Sequence, residues 1–140
     1  MTNQIFPCLW FDGQAKAAAA FYCSVFKNSK ILADSPMVVT FELNGSKFMG
    51  LNGGPQFKFD EAVSFVVNCD TQDEIDYYWN KLTEGGQESM CGWLKDKFGL
   101  SWQIVPAIIG ELMSEPARAE RVMKAVMKMK KLDLETLKNA

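Results

Sequence analysis

The spacing of apolar positions changes along this chain in a repeated order. "QIFPCLWFD" is a short apolar run ending at Asp12-Gly13, which predicts a strand. "GQAKAAAAFYCSVF" then turns alanine-rich and predicts a helix with Ala17, Ala20, Phe21 and Val25 on one face. After a turn around Lys27 to Ser29, "SKILAD", "PMVVTFELNG" and "SKFMGLNGG" read as strands punctuated by Ser-Pro, Asn-Gly and Asn-Gly-Gly. The first half therefore reads βαβββ.

The second half repeats it. "AVSFVVNCD" is a β-branched strand, and "TQDEIDYYWNKLTEGG" is a helix with Thr71 as N-cap, Glu74 completing a capping box and Gly85 as terminator. "QESMC", "GWLKD" and "SWQIVP" follow as strands. Phe21-Tyr22 falls over Tyr77-Tyr78 at an offset of 56, and Gly45-x-x-Phe48 over Gly99-x-x-Trp102 at an offset of 54, which points to duplication. The fold class is α+β: two tandem βαβββ modules, approximately 1–55 and 60–108, in one domain over 1–113, then a C-terminal helical extension over 114–140. In that extension Ser114 and Pro116 start a helix whose stripe is Val122, Val126, Met129 and Met123, and "LDLETL" is a short turn capped by Asp133. The stripe must be buried on the chain's own sheet or on a partner.

Composition narrows the class. A chain of 140 residues buries roughly 68% of its unfolded surface and needs no disulfide or metal for stability. With 48% hydrophobic and 23% charged residues it reads as a globular protein rather than a disordered one. A net charge of -2 gives no reason to expect nucleic acid, and the cluster Lys124, Lys128, Lys130 and Lys131 reads as a solvated helical face. "MTNQIFPCLWFDG" lacks the regions of a signal peptide, and no apolar run reaches the ~18 residues of a membrane span, so the expectation is a cytoplasmic protein with no membrane partner. Cys8, Cys23, Cys69 and Cys91 are widely spaced, which predicts free thiols rather than a zinc or redox motif.

Strand alternation places Ser101, Gln103 and Val105 on one face and Leu100, Trp102 and Ile104 on the other, packed on a helix. Two modules, each with a helix behind a curved sheet, leave a concave surface between the sheets. Cys8, Trp10, Met49, Leu51, Ser64, Val66 and Gln103 converge there, an aromatic, apolar and sparsely polar lining of the kind small-molecule sites have. Trp10 and Trp93 are either ligand platforms or plain core. Cys8 is either a nucleophile or a small buried hydrophobe, and no histidine exists to activate it. Glu42, Asp60, Glu61 and Asp96 lie in or beside turns, with Asp96-Lys97 shaping the hairpin into the last strand.

"LWFDGQAKAAAAFY", "LNGGPQFKFDEAVSFVVNC", "DYYWNKL", "CGWLKDKFGLSWQIVP" and "ERVMKAVMKMKKLDLETL" together resemble the PhnB-like branch of the glyoxalase, bleomycin-resistance and extradiol-dioxygenase group, the vicinal oxygen chelate superfamily. Many members of this branch are called 3-demethylubiquinone-9 3-methyltransferases. Methyl transfer from S-adenosylmethionine normally uses a glycine-rich strand-to-helix turn, and "LNGGP" leads into "QFKFDEAVSF" instead, so Gly53 and Gly54 read as the connection between modules. The resemblance implies a homodimer. It also implies a longer glycine-rich loop between the second and third strands, where "KILADSPMVVTFEL" here leaves only a few residues.

In metal-dependent relatives the resemblance implies four ligands, one on the first and one on the last strand of each module. "D-K-F-G-L-S-W-Q" puts Gln103 at the last-strand position and its repeat mate at Met49, with the first-strand pair near Phe6 and Ala62 and then Cys8 and Ser64. Phenylalanine and alanine cannot coordinate, thioether prefers copper(I), and one glutamine amide is a weak neutral ligand, so neither a metal nor another cofactor is expected. Gln103 is then a hydrogen-bonding fixture of the pocket or a group satisfying buried backbone. The reading is a binder of a small organic ligand lined by Cys8, Trp10, Met49, Ser64, Trp93 and Gln103. Its alternatives are a metal-dependent glyoxalase or dioxygenase with an altered site, and an interaction module acting through the C-terminal helix.

Overall fold

The computed structural model describes residues 3–140. They fall into two compact units, one ending at Phe59 and the other running from Asp60 to Ala140.

The first unit contains β1 (Cys8–Phe11), α1 (Ala15–Val25), β2 (Lys30–Asp34), β3 (Val38–Leu43) and β4 (Ser46–Asn52). Its sheet has the order β1-β4-β3-β2, with β1 parallel to β4 and the other pairs antiparallel. Leu9, Phe11, Val39, Phe41 and Leu43 are buried on the face that α1 covers. Cys8, Trp10, Thr40, Met49 and Leu51 alternate onto the opposite, open face. Helix α1 buries Ala15, Ala18, Ala19, Tyr22 and Val25, so the predicted stripe is corrected at Ala17 and Ala20, which are exposed, and at Phe21, which is only half-buried. An alanine run has no apolar period to set its phase, and Tyr22 takes the inward position. Gln14, at the N-cap of α1, offers no side-chain cap; the Asn52 side chain on β4 instead accepts from the Ala15 N–H at 2.9 Å. Gly50 lets α1 sit close, since a Cβ there would lie 3.1 Å from that of Ala15. Three residues join β2 to β3, with the Ser35 hydroxyl donating to the Val38 carbonyl at 2.9 Å, so the turn there is tight, as "ADSPM" suggests.

The second unit repeats the plan with β5 (Ser64–Cys69), α2 (Gln72–Thr83), β6 (Gln87–Glu88), β7 (Trp93–Lys95) and β8 (Ser101–Pro106), in the sheet order β5-β8-β7-β6. Thr71 caps α2 by accepting from the Glu74 N–H at 3.2 Å, and the Glu74 carboxylate accepts from the Asp70 N–H, one residue outside the predicted box. Ile75, Trp79 and Leu82 pack this helix against the face of the sheet carrying Leu94, Trp102 and Ile104. Asp96, 3% exposed, builds the turn into β8: one carboxylate oxygen accepts from the N–H groups of Phe98 and Leu100, the other from the Trp102 indole at 2.9 Å.

The tail adds α3 (Ile109–Leu112), α4 (Pro116–Val126) and α5 (Leu134–Lys138) to the second unit. Val122 and Val126 join Leu112, Leu132 and Leu137 in one buried cluster, with Met129 packed against it. Met123 is 42% exposed and falls outside the stripe. The carbonyls of Met129 and Lys130 accept from the N–H groups of Cys91 and Gly92, and the Gln72 side chain bonds the Leu132 carbonyl and the Leu134 N–H, so the helices are stitched to the turn before β7 and to α2. Among the described residues, no helix is long and apolar enough to cross a membrane.

Candidate functional site

The six candidate residues divide by unit. Cys8, Trp10 and Met49 lie on the open face of the first sheet, with Cys8 in register with Met49. Ser64, Trp93 and Gln103 lie on the open face of the second.

On the first sheet Trp10 is held in place. Its indole N–H donates to the Gly54 carbonyl at 2.8 Å, and its ring meets Phe57 edge-on at a centroid distance of 4.9 Å. A Cβ at Gly53 would stand 2.3 Å from the ring, so that glycine exists to let the indole lie over the backbone. Trp10 anchors the segment after β4, and the glycines there are a seat rather than slack. Cys8 is exposed on the edge strand, and partial burial raises its thiol pKa, the reverse of what a nucleophile needs.

The second sheet carries the more developed site. Trp93 and Val66 flank Gln103 in one cross-strand row, and Lys95 and Ser64 flank Ser101 in the next. The first-strand residue in register with Gln103 is thus Val66 rather than Ala62 or Ser64; β5 begins only at Ser64, leaving Ala62 in the preceding turn. Ser64 still reaches the glutamine diagonally, accepting from the Gln103 amide at 2.9 Å. A cavity of about 250 Å³ opens beside these rows, lined by Glu61, Gln87, Ser89, Trp93, Lys95 and Ser101 among others. Lys95 is ion-paired with Glu61, and the hydrogen bond from that ammonium is the main reason the Glu61 carboxyl sits below its ordinary pKa. Ser101 is fully buried, and its hydroxyl has no hydrogen-bond partner. Lys95, Glu61 and the orphan hydroxyl were not singled out from sequence as site residues. Alternation places Lys95 and Ser101 with Trp93 and Gln103, but pairing and burial are invisible to a strand pattern.

The metal that the resemblance implies for metal-dependent relatives does not fit these residues. Gln103 offers one neutral amide oxygen, and the side chains of its register neighbours Trp93 and Val66 offer no oxygen or imidazole ligand. Among the described residues no three His, Cys, Asp or Glu side chains gather in a way that could hold an ion. Nor do the strand-to-helix turns fit S-adenosylmethionine: Asp12-Gly13-Gln14 before α1 and Asp70-Thr71 before α2 carry no glycine-rich fingerprint, and the sheets are mixed rather than doubly wound.

Comparison with known proteins places this architecture. The family model described as 3-demethylubiquinone-9 3-methyltransferase matches residues 3–105. A PhnB protein from Bacillus cereus is 34% identical, with a TM-score of 0.67 over 74% of this chain and 99% of its own. A glyoxalase-related enzyme from Fulvimarina pelagi is 16% identical, with a TM-score of 0.55 over 76% of this chain and 91% of that one. The fosfomycin resistance protein FosX from Listeria monocytogenes, complexed with Mn(II) and sulfate, is 14% identical, with a TM-score of 0.60 over 86% and 98%. The last two likenesses speak to fold alone. No curated protein matches the chain. Matched over most of its length, the chain belongs to the 3-demethylubiquinone-9 3-methyltransferase family, with a PhnB protein among its relatives, and it shares its fold with glyoxalase-related proteins.

Proposed function

We propose that this protein binds a small organic molecule, without a metal ion, on the open face of its second sheet, with Gln103, Ser64 and Trp93 as contacts. The observation that carries this reading is the cavity beside β7 and β8, whose lining includes the Trp93 indole, the Lys95–Glu61 ion pair and the unpartnered Ser101 hydroxyl, with the Gln103–Ser64 pair on the same face of the sheet. These groups hold rather than transfer. A carboxylate whose pKa is lowered by its lysine is a weaker base than a free one, and the cavity lining includes no cysteine or histidine.

Intrinsic tryptophan fluorescence across a panel of planar aromatic compounds tests this. A saturable change in the wild type that weakens at least tenfold in Gln103→Ala is expected. No saturable change, or an identical one in Gln103→Ala, would refute it.

A further inference from the structure

The unpartnered hydroxyl of Ser101 bears on what kind of molecule the cavity takes. A buried polar group without a partner is rare in a native fold; Ser101 is 0% exposed beside the cavity, so a ligand atom reaches its hydroxyl only as the neighbouring side chains shift aside. Its cross-strand neighbour is Lys95, directly opposite in the antiparallel pair, so the two side chains leave the sheet from adjacent positions on one face, and the lysine's ammonium, held by Glu61, keeps spare N–H groups. On the other side of Ser101, one strand away, Ser64 adds a second hydroxyl, itself accepting from Gln103. Trp93 provides a flat aromatic wall one row away. Lys95 is a donor only and the Ser101 hydroxyl has a proton to give, so these two groups together can offer donors to one ligand.

Acids also line the cavity. Glu61 is the present counter-ion of Lys95 and its side chain is 61% exposed, so it can swing into solvent. Glu88 has one carboxylate oxygen accepting from the Trp79 indole at 2.6 Å. At Lys95 a cationic ligand would meet a like charge, whereas an anionic one displaces only an exposed carboxylate; Glu88, also in the lining, keeps its second oxygen away from neither.

We infer, building on the binding proposal above, that the ligand is a small single-ring carboxylate, its carboxylate oxygens accepting from Lys95 and Ser101 and its ring lying against Trp93. The ligand takes the place of Glu61 as the lysine's counter-ion and gives the Ser101 hydroxyl the acceptor that Glu61 does not supply. Size agrees. At about 30 Å³ per water, a cavity of about 250 Å³ has room for roughly eight waters, hence for a molecule of about that many non-hydrogen atoms.

The test uses benzoate, benzamide and benzylamine as probes, titrated into the 140-residue chain and followed by amide-resolved NMR. Benzoate should shift the signals of Trp93, Lys95 and Ser101 saturably and bind about tenfold more tightly than benzamide, with benzylamine weaker still. Ser101→Ala, which removes a hydroxyl that has no partner in the free protein, should fold normally and bind benzoate several-fold more weakly. Lys95→Met should lose about tenfold. Glu61→Gln distinguishes a bound carboxylate from a merely structural ion pair: freeing the lysine should strengthen benzoate binding about threefold. Benzamide binding as well as benzoate, or Glu61→Gln and Ser101→Ala both leaving benzoate affinity unchanged, would overturn the carboxylate assignment while leaving the binding site standing. If none of the three probes moves these residues, the binding proposal falls together with it.

Discussion

Asp96 shows how one side chain can determine a turn. Its two oxygens take three donors in a site almost closed to water, so Asp96→Ala should cost about 3 kcal/mol or more, because it strands two backbone N–H groups and an indole. Asn should fall in between: its amide oxygen can serve one side of the turn, but its NH₂ then faces the Trp102 donor. Urea denaturation of the three proteins gives the order. The role of Asp96 was legible in "DKFG", since an aspartate before a glycine turn has few other uses. Cys69 makes a second residue-scale prediction. Burial, reinforced by the charges of Glu74 and Asp70, pushes its thiol from 9.0 up to about 12. Between those values the unfolded chain releases a proton that the folded chain keeps. Stability should therefore fall with rising pH by about 1.4 kcal/mol per unit from this group, and Cys69→Ala should show a correspondingly shallower alkaline slope in denaturation at pH 9 to 11. Below pH 9, iodoacetamide should label exposed Cys8 well before Cys69.

Among elements, strands were the most legible because β-branched runs between Asn-Gly and Gly-Gly breaks leave little choice of conformation, as in "PMVVTFELNG" and "AVSFVVNCD". The phase of α1 was hidden, because four successive alanines look alike from every side. The contact that seats this helix runs through Gly50, so Gly50→Val should destabilise the first unit by about 1–3 kcal/mol through overpacking against Ala15, read by thermal unfolding. The tail posed a different question, since an amphipathic stripe does not say what covers it. Leu112, Leu132 and Leu137 cover it here, in the same chain. Val122→Ala should thus cost about 1–3 kcal/mol in an unfolding experiment at any protein concentration, whereas a stripe that docks on a partner would give a concentration-dependent loss.

At the scale of the whole molecule, the duplication was readable because paired aromatics and glycines recur at nearly constant offset, and the structure repeats the mixed four-stranded sheet in each unit. The candidate site was readable only in outline. Alternation sorted Ser101, Gln103 and Val105 onto one face, but it left Trp93 open between platform and core, and the parallel register that sets Val66 beside Gln103 depends on where β5 begins, which the apolar run "AVSFVVNCD" does not mark. The two halves have diverged in what they offer a ligand: Met49 occupies in one the place that Gln103 takes in the other, and the cavity with its lysine and orphan hydroxyl is built from second-unit residues. The absence of histidine from the chain makes metal dependence a sharp contrast, so protein purified without an affinity tag and dialysed against manganese and zinc should retain less than one ion per chain by elemental analysis. The central claim, that the second sheet is a binding site for a small organic molecule, is tested most directly by an amide-resolved NMR titration with a library of single-ring compounds. Saturable shifts clustered on Ser64, Trp93, Lys95, Ser101 and Gln103, and lost in Gln103→Ala, are the predicted result; shifts confined to other surfaces, or none that saturate, would contradict it.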